Sequence, residues 1–348
     1  MRETPIRTIN SAAPIRICDN GGWTDTWFAG HGQIFNIAVA PCAEVQIAVY
    51  PRAARPAPVL LHAENYGERM ALGPAEWAAP AAQPHPLLAA ALAELPPPDD
   101  IALEISLYSA VPAGCSTGTS AAVAVALLGA LDALTPGRLT AHELAYAAHR
   151  VETERLGLQS GIQDQLCAAY GGINYIEMFA YPHASVSPLH LPAALRWELE
   201  RRLVLVFLGR SHNSSEVHGK VIGQLEREGA ASPQLARLRA MAARSRDALL
   251  AGDLAALGSA MAENTELQRA LHPELVGPEA QALIELARAH GALGWKVNGA
   301  GGAGGSVTLL CAESAAARRA LIEAIPRHNP LFRPIPIALS RHGVRVWG

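Results

Sequence analysis

The chain has 348 residues, of which 50% are hydrophobic and 17% are charged, and its formal net charge is −3 at pH 7. This composition is typical of a compact globular protein with a large core, and it excludes an intrinsically disordered chain. The small negative charge, without a basic stripe interleaved with aromatic residues, argues against nucleic acid as a partner.

Targeting signals and cysteines suggest where the protein works. The first residues contain no apolar segment of the kind found in secretion signals, and the longest apolar run, 121–131, is too short to cross a bilayer. Five widely spaced cysteines without a CxxC pair favour reduced thiols over disulfides or a zinc site. We therefore expect a cytoplasmic protein without a membrane partner, as a monomer or a homodimer.

The first half of the chain predicts a mixture of strands and helices. Segments rich in β-branched residues predict strands at 14–18, 34–40, 43–50, 101–108 and 173–178. Helices are predicted at about 117–134, 140–156 and 160–172. Pro136 and Gly137 are expected to end the first helix, and Thr140 with Glu143 forms a capping-box pattern that begins the second.

The pattern restarts after residue 200. A strand is predicted at 201–209, helices near 215–227, 233–251, 253–270 and 278–294, and a strand, glycine loop and strand over 296–310. The segment 183–194 is the best candidate for a boundary. We predict an α+β protein with two domains, 1–185 and 186–348.

A first glycine-bearing cluster follows the strand that carries Arg16. Its turn presents Gly22, Trp23, Thr24 and Asp25. Asp and Thr side chains hydrogen-bond to hydroxyl groups, and the indole face stacks on the apolar face of a sugar, so the cluster is a candidate substrate site. The alternative is an ordinary turn with an exposed Asp.

A second cluster leads directly into the helix predicted from about residue 117. Its small and hydroxyl residues are Pro112, Gly114, Ser116, Thr117, Gly118, Thr119 and Ser120. A helix N-terminus binds phosphate through its unpaired N–H groups without needing a lysine, and a hydroxyl can ligate Mg²⁺. The alternative is that these hydroxyls are helix caps.

A third cluster, 298–305, satisfies GxGxxG by letter. A dinucleotide fingerprint must open a helix, whereas a strand-like run follows here, so an NAD-dependent oxidoreductase is the weaker interpretation. We interpret Gly301 and Gly302 as part of a glycine-rich wall against a ligand or the other domain. Among acidic residues, Glu152, Glu154 and Asp164 are candidates, and helical periodicity does not choose between the two glutamates.

The three clusters, in this order, resemble motifs 1, 2 and 3 of the GHMP kinase superfamily, which includes galactokinase, homoserine kinase and mevalonate kinase. PAGCSTGTSA at 112–121 resembles P-x-G-x-G-L-G-S-S-A, and KVNGAGGAG at 296–304 resembles K-V-x-G-A-G-G-G-G. GGWTDT at 21–26 is similar to the A-G-G-[WGT]-[ST]-D of the kinases for L-fucose and D-glycero-D-manno-heptose 7-phosphate. The stretch 154–178 also resembles those sugar kinases.

The resemblance implies an N-terminal domain like ribosomal protein S5 domain 2 and a ferredoxin-like C-terminal domain, with the active site between them. It implies that Ser120 and Glu152 hold Mg²⁺, and that Asp164 is the general base or the charge that orients the acceptor hydroxyl. Arg16 would keep Asp164 ionised and stabilise the developing charge. The spacing of twelve from Glu152 to Asp164 equals that in galactokinases, which favours Glu152 over Glu154.

The sequence therefore predicts an ATP- and Mg²⁺-dependent sugar kinase that makes a sugar 1-phosphate, because phosphoryl transfer needs mainly positioning and charge neutralisation. A kinase for a non-sugar alcohol, such as homoserine or mevalonate, is an alternative, as is a catalytically silent sensor that binds ATP and sugar. At 211–216 the chain resembles the [ST]-R-x-S-S of the fucose and heptose kinases, with His212 in place of arginine. That change bears on whether a phosphorylated sugar is accepted.

Overall fold

The computed structural model describes residues 4–135, 138–210 and 215–348, with the side chains of Ser215 and Glu216 left out. The predicted helix end at Pro136 and Gly137, and residues 211–214 of the motif at 211–216, therefore lie outside what is described. Two β-sheets and the helices packed on them make up the described chain, which confirms the predicted α+β class.

Nine strands of the described chain form the first sheet. They are β1 (Arg7–Asn20), β2 (Gly32–Pro51), β3 (Val59–Ala63), β4 (Glu68–Leu72), β5 (Ile101–Ser109), β6 (Ile173–Ala180), β7 (His183–Pro188), β12 (Ala338–Leu339) and β13 (Arg345–Trp347). The order is β13-β1-β2-β5-β3-β4, and β6 and β12 also pair with β2. Only β3 and β5 are paired in parallel among these described strands.

Four antiparallel strands form the second sheet, in the order β11-β8-β10-β9. They are β8 (Leu203–Phe207), β9 (Gly294–Val297), β10 (Ser306–Leu310) and β11 (Arg333–Ile335). Strands β8 and β10 are buried on both faces, which explains their continuous runs of apolar residues.

The helices cover both sheets. They are α1 (Pro74–Ala78), α2 (Pro86–Glu94), α3 (Thr119–Asp132), α4 (Ala141–Arg150), α5 (Gln163–Tyr170), α6 (Ala193–Arg202), α7 (Ser215–Glu228), α8 (Pro233–Leu250), α9 (Leu254–Leu271), α10 (Pro278–Ala289) and α11 (Ala315–His328). In the part of the chain that the structure describes, none of them has the length and hydropathy needed to span a membrane.

Helix α3 is the centre of the first half of the molecule. It packs against β1 and β2 on one side and against α2, α4 and α5 on the others. Because its sides are all covered, its sequence is apolar all round rather than amphipathic. This burial fixes the position of the helix N-terminus, where the second glycine-bearing cluster lies.

The predicted boundary between residues 185 and 186 falls inside β7, which pairs with β6 in the first sheet. The last two strands, β12 and β13, also return to the first sheet and pair with β2 and β1. The second sheet and its helices thus lie between two segments of the chain that belong to the first sheet. The division into 1–185 and 186–348 stays a prediction.

Candidate active site

No side chain caps the N-terminus of α3. Gly118 takes the N-cap position with a φ of 66°, in the left-handed region that favours glycine. The hydroxyls of Thr117 and Thr119 lie 3.2 Å from each other instead of bonding the helix amides. The helix-cap interpretation of this cluster is therefore wrong. Residues 114–121 instead line a cavity of about 310 Å³, which we call the helix-end cavity.

A second cavity, of about 170 Å³, lies beside the turn that follows β1. Gly22, Trp23 and Asp25, all singled out in the sequence, line it together with Trp27 and Phe28. The backbone of Trp23 has a φ of 75°, a conformation that costs a non-glycine residue about 1–2 kcal/mol. Such strain concentrates at ligand-binding sites. We call this the tryptophan cavity.

Arg16 and Asp164 line both cavities and form a two-point ion pair. Arg16 Nε donates to Asp164 Oδ1 at 2.8 Å, and Arg16 Nη2 donates to Asp164 Oδ2 at 3.2 Å. Burial alone would lower the pKa of Arg16, but the carboxylates of Asp164 and Asp19 raise it, so the guanidinium stays charged. The side chain of Asp164 is 28% exposed, so the pair holds one fixed carboxyl group within reach of both cavities.

Glu152 lies in a π-helical turn, Val151–Arg155, that continues α4. Turns of this kind occur most often at functional sites. Glu152 Oε2 accepts hydrogen bonds from Ser160 Oγ at 2.5 Å and from Gln165 Nε2 at 3.0 Å. Burial raises the pKa of Glu152 to about 7. Glu154 is exposed and lines neither cavity, so the geometry favours Glu152 of the two glutamates.

Ser120 and Glu152 both line the helix-end cavity. A hydroxyl and a carboxylate are oxygen ligands of the type that Mg²⁺ binds, so these residues fit the ion. Across the ranges that the structure describes, no group of three or more His, Cys, Asp and Glu side chains is arranged to hold a metal. A Mg²⁺ ion here would therefore take further ligands from a bound phosphate and from water.

Asp25 is 3% exposed and is held by the start of α5. Its Oδ2 accepts a hydrogen bond from Gln163 N at 3.1 Å. Burial raises the pKa of Asp25 to about 6 in spite of that bond, and the nearby Asp164 charge adds to the rise. Gly161 packs so closely that a Cβ there would lie 2.1 Å from Asp25 Oδ2, which explains the glycine.

Three residues that the sequence suggested for substrate binding are not among those that line the tryptophan cavity. Thr24 is fully buried, and its hydroxyl donates to Gly21 O at 2.7 Å, so it supports the turn. Gly302 N donates to Leu275 O at 2.9 Å, and a Cβ on Gly301 would lie 2.2 Å from that same oxygen. These contacts are within the protein, and a substrate role for Thr24, Gly301 and Gly302 stays a prediction.

The third cluster connects β9 and β10, which are antiparallel, and it opens no helix. The dinucleotide interpretation is therefore wrong. The cluster instead joins the second sheet to the first two clusters. Gly299 N donates to Asp19 Oδ2 at 3.0 Å, and Ser306 Oγ donates to Cys115 O at 2.6 Å. Gly299 and Ala300 line both cavities.

Asp19 and Lys296 are site-supporting residues that the sequence analysis missed. Lys296 is fully buried, and its Nζ lies 3.2 Å from Asp19 Oδ1. Asp19 Oδ1 also lies 3.9 Å from Arg16 Nη1, so charges alternate from Lys296 through Asp19 and Arg16 to Asp164. The available signals were the lone lysine of β9 and an aspartate three residues after Arg16 in β1.

A third cavity, of about 540 Å³, opens next to the helix-end cavity and shares Gly114, Thr119 and Ser120 with it. Its remaining walls are mostly apolar and aromatic, and they include Tyr66, Leu87, Leu88, Tyr108, Val111 and Pro112. We call it the outer cavity. No sequence signal pointed to it, because its walls come from distant segments of the chain.

Two family models match this chain. The model for the GHMP kinases N terminal domain matches residues 87–172, and the model for GHMP kinases C terminal matches residues 245–330. The first match contains the helix-end cluster and Asp164, and the second contains the third glycine-bearing cluster.

Similar proteins agree with these matches. The D-glycero-alpha-D-manno-heptose 7-phosphate kinase of Campylobacter jejuni is 27% identical over 247 residues, covering 71% of each chain. The mevalonate kinase of Thermococcus sibiricus is 31% identical over 251 residues, covering 70% of this chain and 68% of that one. A solved structure of a putative sugar kinase from Campylobacter jejuni has a TM-score of 0.74 at 19% identity, and 99% of both chains is covered.

These findings confirm the predicted superfamily and its two-domain α+β fold, with an N-terminal and a C-terminal domain. Kinases of this family use ATP, and sugar kinases are among the relatives of the chain. The chain belongs to the GHMP kinase family of phosphotransferases.

Proposed function

We propose that the protein is an ATP- and Mg²⁺-dependent sugar kinase that transfers the γ-phosphoryl group to a monosaccharide hydroxyl, the anomeric one. The observation that carries this proposal is the Arg16–Asp164 pair, which lines both the helix-end and the tryptophan cavity. A phosphoryl group at the N-terminus of α3 and a sugar hydroxyl in the tryptophan cavity would meet at this pair. The heptose kinase relative supports a sugar acceptor.

The nucleotide would occupy the helix-end cavity and the outer cavity, which adjoin each other. The triphosphate suits the uncapped amides of α3, and the adenine suits the apolar walls of the outer cavity. Ser120 and Glu152 would hold Mg²⁺, which neutralises phosphate charge when bound. Arg16 is positioned to offset negative charge that develops beside Asp164.

Asp164 would act on the acceptor hydroxyl. Both its oxygens accept hydrogen bonds from Arg16, so the carboxylate is held in a fixed orientation. That is sufficient, because the attacking hydroxyl keeps its proton until late in a loose phosphoryl-transfer transition state. An anomeric hydroxyl is more acidic than an ordinary alcohol, so it gives its proton to a carboxylate more readily.

Asp164→Asn tests the proposal directly. With ATP, Mg²⁺ and a panel of sugars, we expect the variant to release ADP at least about 10²-fold more slowly than the wild type, in line with general-base contributions. Glu154→Gln is the matched control, since Glu154 is exposed and lines neither cavity. Circular dichroism would check folding, and ³¹P NMR of the product would identify the phosphorylated carbon.

Other outcomes distinguish the alternatives. Near-wild-type turnover by a folded Asp164→Asn variant would exclude the proposed role of Asp164. ADP release with homoserine or mevalonate, and with none of the sugars, would indicate a kinase for non-sugar alcohols. The mevalonate kinase relative supports this alternative. Binding of ATP and sugar without ADP release from any acceptor would indicate a sensor.

A further inference from the structure

Acidic groups outnumber basic groups in the wall of the tryptophan cavity. Asp19, Asp25 and Asp164 line it, and among the described lining residues they face a single guanidinium, that of Arg16. Arg16 already contacts two of these carboxylates, and its Nη1 donates to Ser116 O at 2.5 Å. Burial raises the pKa of Asp25 to about 6, so its carboxylate is ionised at pH 8. Lys296 pairs with Asp19 from behind the wall, so the three carboxylates exceed two cations, and the net charge at the wall stays negative at pH 8.

An anionic group on the acceptor would need cations or N–H donors of its own. The first amide of α5, Gln163 N, is used by Asp25. His218 Nε2 lies 3.3 Å from Gly301 O, and the His218 ring meets Trp23 edge-on. The chain thus provides carboxylates, and no uncommitted guanidinium or ammonium group, among the described lining residues of this cavity.

Apolar side chains make up a further part of the wall. Trp27, Phe28 and Ile222 line it, with Ile222 contributed by α7. Trp27 Nε1 donates to Glu226 Oε1 at 2.8 Å, which joins the turn to α7 and adds a carboxylate near the cavity. At about 170 Å³ the cavity lies below the usual range of drug-sized pockets, roughly 300–1,000 Å³, and suits one sugar ring.

We propose that the tryptophan cavity selects a neutral, unphosphorylated monosaccharide and rejects sugar phosphates and hydroxy acids through the negative charge of its wall. This inference rests on the proposed function and names the substrate class of the same site. It separates the chain from relatives whose names specify a phosphorylated or a carboxylate-bearing acceptor.

The test compares matched acceptors in the wild-type protein at pH 8. The pairs are D-mannose with D-mannose 6-phosphate, D-galactose with D-galactose 6-phosphate, and D-glycero-D-manno-heptose with its 7-phosphate. Mevalonate is added as an anionic alcohol that is not a sugar. In at least one pair we expect kcat/KM for ADP release to favour the neutral sugar by about 100-fold or more, because like charges placed together in a site are strongly unfavourable. Raising the salt concentration should narrow the ratio, since the discrimination is electrostatic.

Two variants at one position separate charge from shape. Ile222→Arg adds a cation to the wall and should narrow the ratio of neutral to phosphorylated acceptor at least about 10-fold, whereas Ile222→Gln should leave the ratio close to that of the wild type. A wild-type preference for a phosphorylated acceptor, a ratio unaffected by salt, or equal effects of the two variants would overturn the inference while leaving the kinase proposal intact. Absence of turnover with every acceptor would overturn the proposed function, and the inference with it.

Discussion

At the scale of single residues, the site holds four buried or half-buried carboxyl groups in different environments. Asp164 is paired with Arg16, and Asp19 is paired with Lys296. Asp25 and Glu152 rely on hydrogen bonds, and burial raises the pKa of each, to about 6 and about 7. A carboxylate without a paired cation makes the folded state less stable when it ionises, so function at these positions comes with a cost in stability.

Asp25→Asn should remove that cost, so the variant should gain stability relative to the wild type as the pH rises. The pKa of Asp25 rises from 3.8 to about 6 on folding, so its protonated form stabilises the folded state below about pH 4, and this contribution is lost as the pH rises through 6. A shift of this size corresponds to about 3 kcal/mol. The free energy of unfolding of the variant, relative to wild type, should therefore rise by about 1–3 kcal/mol between pH 4 and pH 8.

Urea denaturation at several pH values, without ligands, measures this difference. Other titrating groups are common to both proteins and cancel in it. A difference that stays constant across the pH range would show that the Asp25 carboxyl titrates as it does in the unfolded chain.

Individual site residues were predictable when their chemistry was visible within one short motif. Arg16, Asp164 and the uncapped turn at 114–120 are of this kind. Gln163 and Asp19 were not, because Gln163 acts through its backbone amide, and the partner of Asp19 lies 277 residues away in sequence, at Lys296. The sequence does not settle the role of Thr24, because a hydroxyl that closes a turn has the same sequence signature as one that binds a ligand.

At the scale of elements, the approach of α3 to α5 sets the geometry of the site. The N-cap of α3, Gly118, faces the first turn of α5, where Asp164 lies. A Cβ on Gly118 would be 3.1 Å from Asp164 Cγ and 3.3 Å from Arg16 Cγ. The glycine therefore serves two purposes, the left-handed φ and the close approach to the ion pair.

Gly118→Ala should lower activity more than its strain alone explains. The left-handed φ should cost about 1–2 kcal/mol of stability, and the added methyl group should displace the Asp164 carboxylate. We expect kcat to fall at least about 10-fold, since a shift of about 1 Å at a reacting group can cost about 10²-fold.

Gly291→Ala is the matched control. Gly291 has a φ of 73°, and a Cβ there would have nothing within 4 Å. It should lose similar stability and keep wild-type kcat. Equal loss of activity in both variants would show that strain, and not contact with Asp164, is responsible.

Elements with a clear period were predicted well, and pairings between distant segments were not. The capping box at the start of α4 is confirmed, with Thr140 N donating to Glu143 Oε2 at 2.7 Å. The pairing of β12 and β13 with the first sheet could not be predicted from the sequence. Strands of two or three residues are too short to show an alternation of apolar and polar residues. The outer cavity was missed for the related reason that tertiary packing alone assembles it.

At the scale of the whole molecule, the Arg16–Asp164 pair depends on contacts between the two sheets. Strand β9 of the second sheet supplies Lys296, and β1 of the first supplies Asp19 and Arg16. All three side chains are at least nine-tenths buried. The row of alternating charges therefore couples the packing of the second sheet to the orientation of the Arg16–Asp164 pair.

Lys296→Met and Asp19→Asn should lower the free energy of unfolding by different amounts when made singly. Combined in one protein, each should offset part of the loss that the other causes. Removing Lys296 leaves the buried Asp19 carboxylate with Arg16 at 3.9 Å as its remaining cation, so we expect a loss of about 3 kcal/mol, the lower end for a broken buried pair. Asp19→Asn should cost less, because burial lowers the pKa of Lys296 and lets the amine shed its proton. The double variant should be more stable than Lys296→Met alone, as expected for a coupled pair.

Urea denaturation of the wild type, both single variants and the double variant completes this double-mutant cycle. Strictly additive losses of unfolding free energy would mean that the two charges do not interact.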